Sequence, residues 1–299
     1  MLIGLSPSNE SFLVALNRIS DRAESATRQI ATGYRINSAS DAPDEISTLL
    51  QARVELDRTS QIRTNLGRVK TEVDTAEQTV ASAVSLLERV RVLGAQGASS
   101  NTSLDARAAA AAEVDGILQQ LVSLSATVVD GRYIFSGDAD MQPPYSWDPT
   151  QPYPVDGYHG AASTRQIEHP SGVAFPIAHT AQEIFDDPSH SVFQAVHSLA
   201  LALWSNDTNA IEAALAQVTD AGGHLNRQLS FYGSVQNRVN SAVDDAAKME
   251  LRLKTEISHL QETDLTEAIL QLNQARFHQQ AALESRAKLP QTSLFDFLR

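Results

Sequence analysis

The sequence predicts a mainly α-helical protein: a long antiparallel helical rod or coiled-coil bundle that carries a small β-rich inserted domain. Apolar residues recur at steps of three and four over long stretches at both ends of the chain, which is the period of a packed helix. Eight of the 11 prolines fall within residues 134–190, and long helices cannot persist through such spacing. Aromatic residues make up only 6%, which favours close helix packing over a bulky core.

The first helix is predicted from one apolar stripe and a clear stop. Thr32-Gly33 supplies the stop, because glycine commonly takes the left-handed conformation after a helix end. The stripe steps by four and three residues and consists of Phe12, Leu16, Ile19, Ala23, Ala26 and Ile30.

The second helix should be unusually long. Asp41 is expected to cap it, with Pro43 in its first turn. No proline or run of glycine interrupts the chain between Pro43 and Gly94. A helix of about 50 residues would be about 75 Å long at 1.5 Å per residue. Its seam is Leu66, Val69, Val73, Ala76, Val80, Ala83, Leu87 and Val90.

Further helices are predicted on both sides of the proline-rich segment. A third should start near Leu104-Asp105, with a seam of Val114, Leu118, Leu121 and Val128. After the segment, "SVFQAVHSLALALW" and "NAIEAALAQV" predict two shorter helices, and a long helix should follow Gly233. The last helical stretch carries a narrow stripe made of Leu265, Ala268, Leu272, Ala275 and Ala282.

The middle of the chain predicts turns and short strands. "YIFSG" and "GVAFPIAHT" are the strand candidates, and Pro176 in the second indicates an edge. Between residues 134 and 190 the only basic residue is Arg165, against eight acids. We therefore predict terminal helices at 1–41 and 251–299, a helical rod domain at 42–135 and 191–250, and a small β-rich inserted domain at 136–190.

The composition excludes several kinds of chemistry. The chain has no cysteine, and its net charge of −13 argues against nucleic acid and anionic membranes as partners. No run of 18 apolar residues appears, so no membrane insertion is expected. His159, His169, His179 and His190 match no ligand spacing. We predict no enzyme activity, no metal site and no cofactor.

One carboxylate pair and the terminal stripes leave a choice of interpretation. Asp138 and Asp140 are spaced as in calcium loops but lack the later ligands, which favours a surface turn. The narrow stripes on the terminal helices suit pairing with each other and with copies of the same chain. A plain intramolecular bundle fits the same periodicity.

Three stretches of the sequence also resemble a known protein family. "LNRISDRAESATRQIATGYRINSASDAPDE" resembles the amino-terminal signature of the flagellin superfamily. "YGSVQNRV" and "ETDLTEAILQLNQARFHQQAALESRAKLPQTSLFDFL" resemble that family's entry into its last helices and its carboxy-terminal helix and tail. The family residues in the first signature are Arg35, Ile36, Asn37, Ser38 and Asp41.

A second motif resembles one branch of that superfamily, the hook–filament junction proteins. "DGRYIFSGDAD" carries it through Tyr133, Phe135, Ser136 and Gly137. "SDAPDE", with Pro43, also resembles the junction branch more than filament flagellins. A divergent filament flagellin is the alternative. A coiled-coil signalling module is a more distant one, since no output domain is recognisable.

The resemblance implies a structural role in the bacterial flagellum and a set of partners. Its members leave the cell unfolded through the flagellar type III export apparatus, which fits a start, "MLIGLSPSNESF", without a cleavable signal peptide. Their terminal helices are disordered in the monomer and form coiled coils on assembly. The implied partners are copies of the chain in a ring, neighbouring hook-associated subunits and flagellin. An export chaperone should cover the carboxy-terminal tail residues Leu294, Phe295, Phe297 and Leu298, and the expected location is extracellular, at the hook–filament junction.

Overall fold

The computed structural model describes residues 7–287. It divides into two compact units, a terminal unit of residues 1–58 and 250–299 and a central unit of residues 59–249. The boundaries lie between residues 249 and 250 and, inside a helix, between residues 58 and 59. The division into terminal helices and a helical rod domain at 41–42 and 250–251 stays a prediction.

The fold is mainly helical, as predicted. The described helices are α1 Pro7–Thr32, α2 Ile46–Ala98, α3 Leu104–Ser125, α4 Ala181–Phe185, α5 Val192–Ser205, α6 Thr208–Gln261 and α7 Leu265–Ala287. Two antiparallel hairpins accompany them, β1 Val128–Val129 with β2 Arg132–Tyr133, and β3 Gln166–Glu168 with β4 Ala174–Pro176.

Helix α2 is a single helix of 53 residues, and its predicted seam is buried from Leu66 to Val90. It runs past Gly94, where the stretch free of proline and glycine runs ends, and continues to Ala98. A Cβ atom at Gly94 would lie 2.9 Å from Cδ2 of Leu199, and one at Gly97 would collide with Leu203. The two glycines therefore let α5 approach α2 closely.

Helix α6 contradicts the prediction of a short helix followed by a long one after Gly233. It is one helix of 54 residues that continues through Gly222, Gly223 and Gly233. Each glycine costs a helix about 1 kcal/mol relative to alanine. Burial of the apolar stripe outweighs that cost, and it comprises Ile211, Ala214, Val218, Ala221, Leu225, Val235, Val239 and Ala242.

The end of α3 also differs from the prediction. Val114, Leu118 and Leu121 are buried as expected. Val128 is 48% exposed and belongs to β1, because α3 ends at Ser125. The β1–β2 turn is Asp130-Gly131, both with positive φ, which is the conformation that a tight hairpin requires.

The proline-rich segment is less separate than predicted. It belongs to the central unit, and its buried side chains form one core with those of α2, α3, α5 and α6. The "YIFSG" strand stops at Tyr133, and the remaining residues of that motif form a turn. "GVAFPIAHT" supplies β4, which ends at Pro176. The insert thus consists of turns, one hairpin and α4 packed onto the helices.

Among the described residues, none of the helices combines the length and the apolar character that crossing a membrane requires.

Candidate assembly interface

Helices α1 and α7 pack against each other as an antiparallel pair within the terminal unit. The Phe12 ring lies 5.5 Å from the guanidinium carbon of Arg286. Toward the other end of α1, the Thr263 hydroxyl lies 3.4 Å from Oε1 of Gln29. The early residues of α1 thus face the late residues of α7, and the predicted pairing of the two terminal stripes is observed within one chain.

Alanines are the most buried residues of this pair. Ala26, Ala268 and Ala275 are 1%, 2% and 5% exposed. Leu265 is the exception on the predicted stripe, since it is 49% exposed at the first turn of α7. The other predicted stripe residues are half-buried: Phe12, Leu16, Ile19, Ala23, Ile30, Leu272 and Ala282.

Large apolar side chains lie on the outer faces of the same two helices. The α1 and α7 residues of this outer apolar surface are Leu13, Val14, Leu265, Ile269, Leu270, Phe277 and Leu283, all between 43% and 70% exposed. Sequence reasoning selected only Leu265 from this set. The sequence signal that could have identified the others is a second set of apolar residues, which lies on a different side of each helix from the alanine stripe. Large exposed apolar side chains concentrated on two paired helices indicate a binding surface.

The Arg35 motif lies in the loop between α1 and α2, against the turn between α6 and α7. Gly33 ends α1 with φ of +75°, as the sequence predicts. The Arg35 N–H donates to the Gln261 carbonyl at 2.7 Å, and the Thr263 N–H donates to the Gly33 carbonyl at 3.0 Å. Backbone hydrogen bonds therefore join the two loops, and Arg53 adds a 2.7 Å bond to the Gln261 side chain.

The Arg35 side chain adds a charged contact to this junction. Its guanidinium pairs with the Glu45 carboxylate and donates to the Leu260 carbonyl at 2.9 Å. The hydrogen bond from Arg35 lowers the pKa of Glu45 below its ordinary value. Ile36 is 3% exposed beside it. Arg35 therefore stabilises the loop junction through its ion pair and hydrogen bond. Ile36 stabilises it through burial of an apolar side chain.

Asp41 does not cap α2, which corrects the prediction. Its carboxylate accepts the N–H groups of Ser38 at 2.7 Å and Asn37 at 2.9 Å. These bonds, the Ser38 one first, lower the pKa of Asp41. Helix α2 begins only at Ile46, so Pro43 lies in the turn before it. Asp41 instead closes the preceding loop.

The second motif fastens the insert to the helices. Phe135 is fully buried and meets Phe185 and Tyr232 edge to face, at centroid distances of 6.2 and 6.4 Å. The buried Ser136 hydroxyl donates to the Gln142 carbonyl at 2.8 Å. Through these contacts the motif packs against α4 and α6.

Two further members of that motif have separate roles. Gly137 has φ of +62°, and a Cβ atom there would collide with the Ala161 carbonyl. Tyr133 pairs with Val128 in the β1–β2 hairpin. The tail residues Leu294, Phe295, Phe297 and Leu298 lie outside the described residues, and their role stays a prediction.

The chain matches two family models of bacterial flagellin. The bacterial flagellin N-terminal helical region matches residues 9–140, and the bacterial flagellin C-terminal helical region matches residues 209–298. Together these regions cover more than half of the chain. The chain belongs to the flagellin superfamily and is a structural protein of the bacterial flagellum.

Within that superfamily the similar proteins are hook-associated. The chain is 24% identical over 242 residues to "Flagellar hook-associated protein 3" of Escherichia coli (strain K12), across 79% of this chain and 74% of that protein.

Solved structures share the fold. A putative flagellar hook-associated protein from Vibrio parahaemolyticus matches with a TM-score of 0.65 and 19% identity, over 74% of this chain and 100% of that one. Bacillus cereus FlgL matches with a TM-score of 0.57 and 19% identity, over 71% and 100%. The flagellar junction protein FlgL from Legionella pneumophila matches with a TM-score of 0.54 and 15% identity, over 65% and 99%.

Proposed function

We propose that this chain joins the hook of the bacterial flagellum to the filament by stacking its α1 and α7 helices in the wall of the tube. The observation that carries this proposal is the outer apolar surface on a helix pair whose fully buried stripe residues are alanines. The names of the similar proteins and the junction-type motif at residues 131–137 support the hook–filament position over other positions in the flagellum.

The two faces of α7 have different partners in this proposal. At 3.6 residues per turn, Leu270 and Phe277 project from the side of α7 opposite Ala268 and Ala275. The alanine side is covered by α1. Leu270 and Phe277 are 56% and 70% exposed, and neighbouring subunits would cover them in the tube. A plain intramolecular bundle would leave this surface without a role.

We expect α1 and α7 to be disordered in the free monomer and to fold when the subunit joins its neighbours. Helices of 26 and 23 residues gain most of their stability from packing rather than from propensity. The fully buried stripe residues are alanines and the larger ones are only half-buried, so the pair buries little apolar area per residue. Assembly supplies the missing burial.

The remaining steps follow from the same role. A subunit whose terminal helices fold late can pass unfolded through the type III export apparatus, with a chaperone covering its carboxy-terminal region before export. Outside the cell its neighbours are copies of itself in a ring, another hook-associated protein and flagellin. The role is mechanical, with no catalytic step.

The outer apolar surface can be tested in the source bacterium. A Leu270→Asp, Phe277→Asp double variant should be exported yet fail to assemble, because each ring contact would bury unpaired carboxylates. Cells should shed both this protein and unattached flagellin into the medium. The control is Gln271→Asp, an exposed position about 100° around the helix from Leu270, which should preserve filaments. Normal filaments in the double variant would refute the proposal.

A second experiment separates the junction role from that of filament flagellin. Purified chain at high concentration should form short rings or remain monomeric, whereas flagellin should polymerise into long filaments. Electron microscopy of the purified protein, seeded and unseeded, gives the answer. Long filaments made of this chain alone would assign it to the filament.

A further inference from the structure

Three potential metal ligands meet at one place in the central unit, although two distant segments supply them. Asp187 and His190 lie in the loop between α4 and α5, and His224 lies on α6. One ligand atom of each lies within 4.8 Å of the other two. Nδ1 of His190 is 3.3 Å from Oδ1 of Asp187, and the two imidazole rings are parallel with centroids 5.4 Å apart. Within residues 7–287, no other three His, Asp or Glu side chains come together this closely.

The hydrogen bond of His224 selects the tautomer that a metal ligand needs. Its Nε2 lies 2.8 Å from the Glu183 carbonyl oxygen. A carbonyl oxygen only accepts, and the other contact of Nε2, with the Gln228 amide nitrogen, is longer at 3.4 Å. The shorter contact favours a proton on Nε2, which leaves Nδ1 of the neutral ring with the lone pair that would bind an ion. Histidines that bind metals commonly donate their other ring N–H to a carbonyl or carboxylate in this way. The ring is 6% exposed, so its orientation is held by packing.

The loop that carries the other two ligands is also held in place. Thr180 and Glu183 form a capping box at the start of α4. The Ser191 hydroxyl caps α5 and donates to Oδ1 of Asp186 at 2.7 Å. The Ser189 N–H donates to Oδ1 of Asp187 at 2.9 Å. Ligands on a braced turn require little ordering when an ion binds.

We propose that Asp187, His190 and His224 bind a divalent transition-metal ion, with Zn²⁺ the best match. Two imidazoles and one carboxylate suit zinc, whereas calcium and magnesium prefer all-oxygen sites. Zinc with ligands at about 2.0–2.2 Å needs donor atoms about 3.3–3.5 Å apart. Nδ1 of His190 and Oδ1 of Asp187 already meet that distance, but they share a hydrogen bond, so Nδ1 must give up its proton, or the ring must carry it on Nε2, before both atoms bind an ion. The widest pair would need to close by at most about 1.5 Å, which side-chain rotation can supply.

The fourth position can be filled from the solvent or by a nearby exposed carboxylate that lies outside the group of three. Asp220 precedes His224 by one helical turn on α6, and it lines the same surface cavity as His190. Asp220 or a water molecule would complete four-coordinate geometry. The bound ion would fasten the end of the insert to α6, and its effect would be to stabilise the central unit.

The test uses the full-length protein after treatment with a chelator, titrated with zinc chloride in a calorimeter. We expect one zinc ion per chain and a rise in the melting temperature that magnesium chloride does not produce. Cobalt(II) in place of zinc should give the visible absorption of a four-coordinate N/O site. His190→Gln should weaken zinc binding at least tenfold and abolish the cobalt spectrum.

A matched control lies in the same insert. Asp156 and His159 form an ion pair with the same spacing of three residues, without belonging to a group of three ligands. His159→Gln should therefore leave zinc binding unchanged. His190 is half-exposed, so its variant should fold, and circular dichroism verifies that. Absence of binding at about 100 μM zinc, equal binding by wild type and His190→Gln, or equal losses in the two variants would overturn the proposal.

Discussion

Arg165 of the insert and Glu72 of α2 form a two-pronged ion pair, in which Nη2 of Arg165 lies 2.6 Å from Oε2 of Glu72. The Glu72 side chain is 14% exposed and that of Arg165 is 30% exposed. Arg165 is the one basic residue between positions 134 and 190. The single cation of an acidic segment therefore binds that segment to the long helix of the central unit.

Loss of this pair should destabilise the central unit. Arg165→Gln leaves the largely buried Glu72 carboxylate without its two charged donors, and we expect the free energy of unfolding to fall by about 1–3 kcal/mol. Urea denaturation measures it. The control is Arg89→Gln, since Arg89 binds Glu113 through two hydrogen bonds of 2.7 and 3.1 Å with both side chains 43% or more exposed. That variant should lose much less stability, because water solvates both groups when the pair is broken. Equal losses would contradict the assigned role of burial.

The glycines of α2 and α3 should respond in opposite directions to alanine. Gly97→Ala places a methyl group against Leu203 and should cost about 1–3 kcal/mol of unfolding free energy through overpacking. Gly116→Ala meets no atom within 4 Å and should gain about 0.5–1 kcal/mol from helix propensity. Thermal or urea unfolding of both variants gives the comparison. Stabilisation by Gly97→Ala would show that α5 does not approach α2 as closely as described.

Protonation of Asp138 at low pH should reduce the stability of the insert. Its carboxylate accepts the Thr164 hydroxyl at 2.8 Å and the Thr164 N–H at 3.1 Å, and these bonds lower its pKa below the usual 3.8. Because the pKa is lower in the folded state, the stabilisation is complete above about pH 4 and is lost as the pH falls through the folded value.

Two variants measure that contribution. Thr164→Val removes the hydroxyl donor and should raise the pKa of Asp138 toward its usual value, as read by carboxyl carbon NMR. Asp138→Asn should lose less stability than wild type between pH 6 and pH 3. A wild-type Asp138 pKa at or above 3.8 would refute the assignment.

The free monomer should show one protected region. The sequence predicts order from about residue 42 to about residue 250, and the compact central unit spans 59–249. Arg53 and Arg58 lie between the two amino-terminal limits. Brief trypsin treatment of dilute monomer should therefore cut at both of them and leave a resistant fragment that starts at residue 59, because local opening exposes cleavage sites. Protection of Arg53 and Arg58 would move the limit back to residue 42. Equal protection of α1 and the central unit would refute disorder of the terminal helices.

Much of the fold could be predicted because helical periodicity is a local property. The seam of α2 from Leu66 to Val90 is buried as its spacing indicates, and α1 ends at Thr32 before a left-handed Gly33. The Ala26 and Ala268 stripes pair as expected. The superfamily resemblance was also readable, since its motifs are contiguous in the chain.

Other features depend on residues that only folding brings together. Gly233 interrupts nothing in α6, because burial of neighbouring apolar residues outweighs its low helix propensity. From the sequence alone, Asp41 could cap the following helix or close the preceding loop. In the folded chain its carboxylate accepts the Asn37 and Ser38 N–H groups, so it closes the loop.

The histidine group and the packing of the insert could not be predicted from the sequence for the same reason, because both depend on residues far apart in the chain. His190 matched no ligand spacing in the insert, since its partner His224 lies 34 positions away on α6. Phe185 could have belonged to the core of a separate inserted domain, yet it stacks on Phe193 of α5. The sequence by itself determined which faces are apolar and where helices can run, because those depend on near neighbours along the chain. The tertiary structure decided which face meets which, because packing free energy between distant segments selects among arrangements that local preferences leave nearly equal.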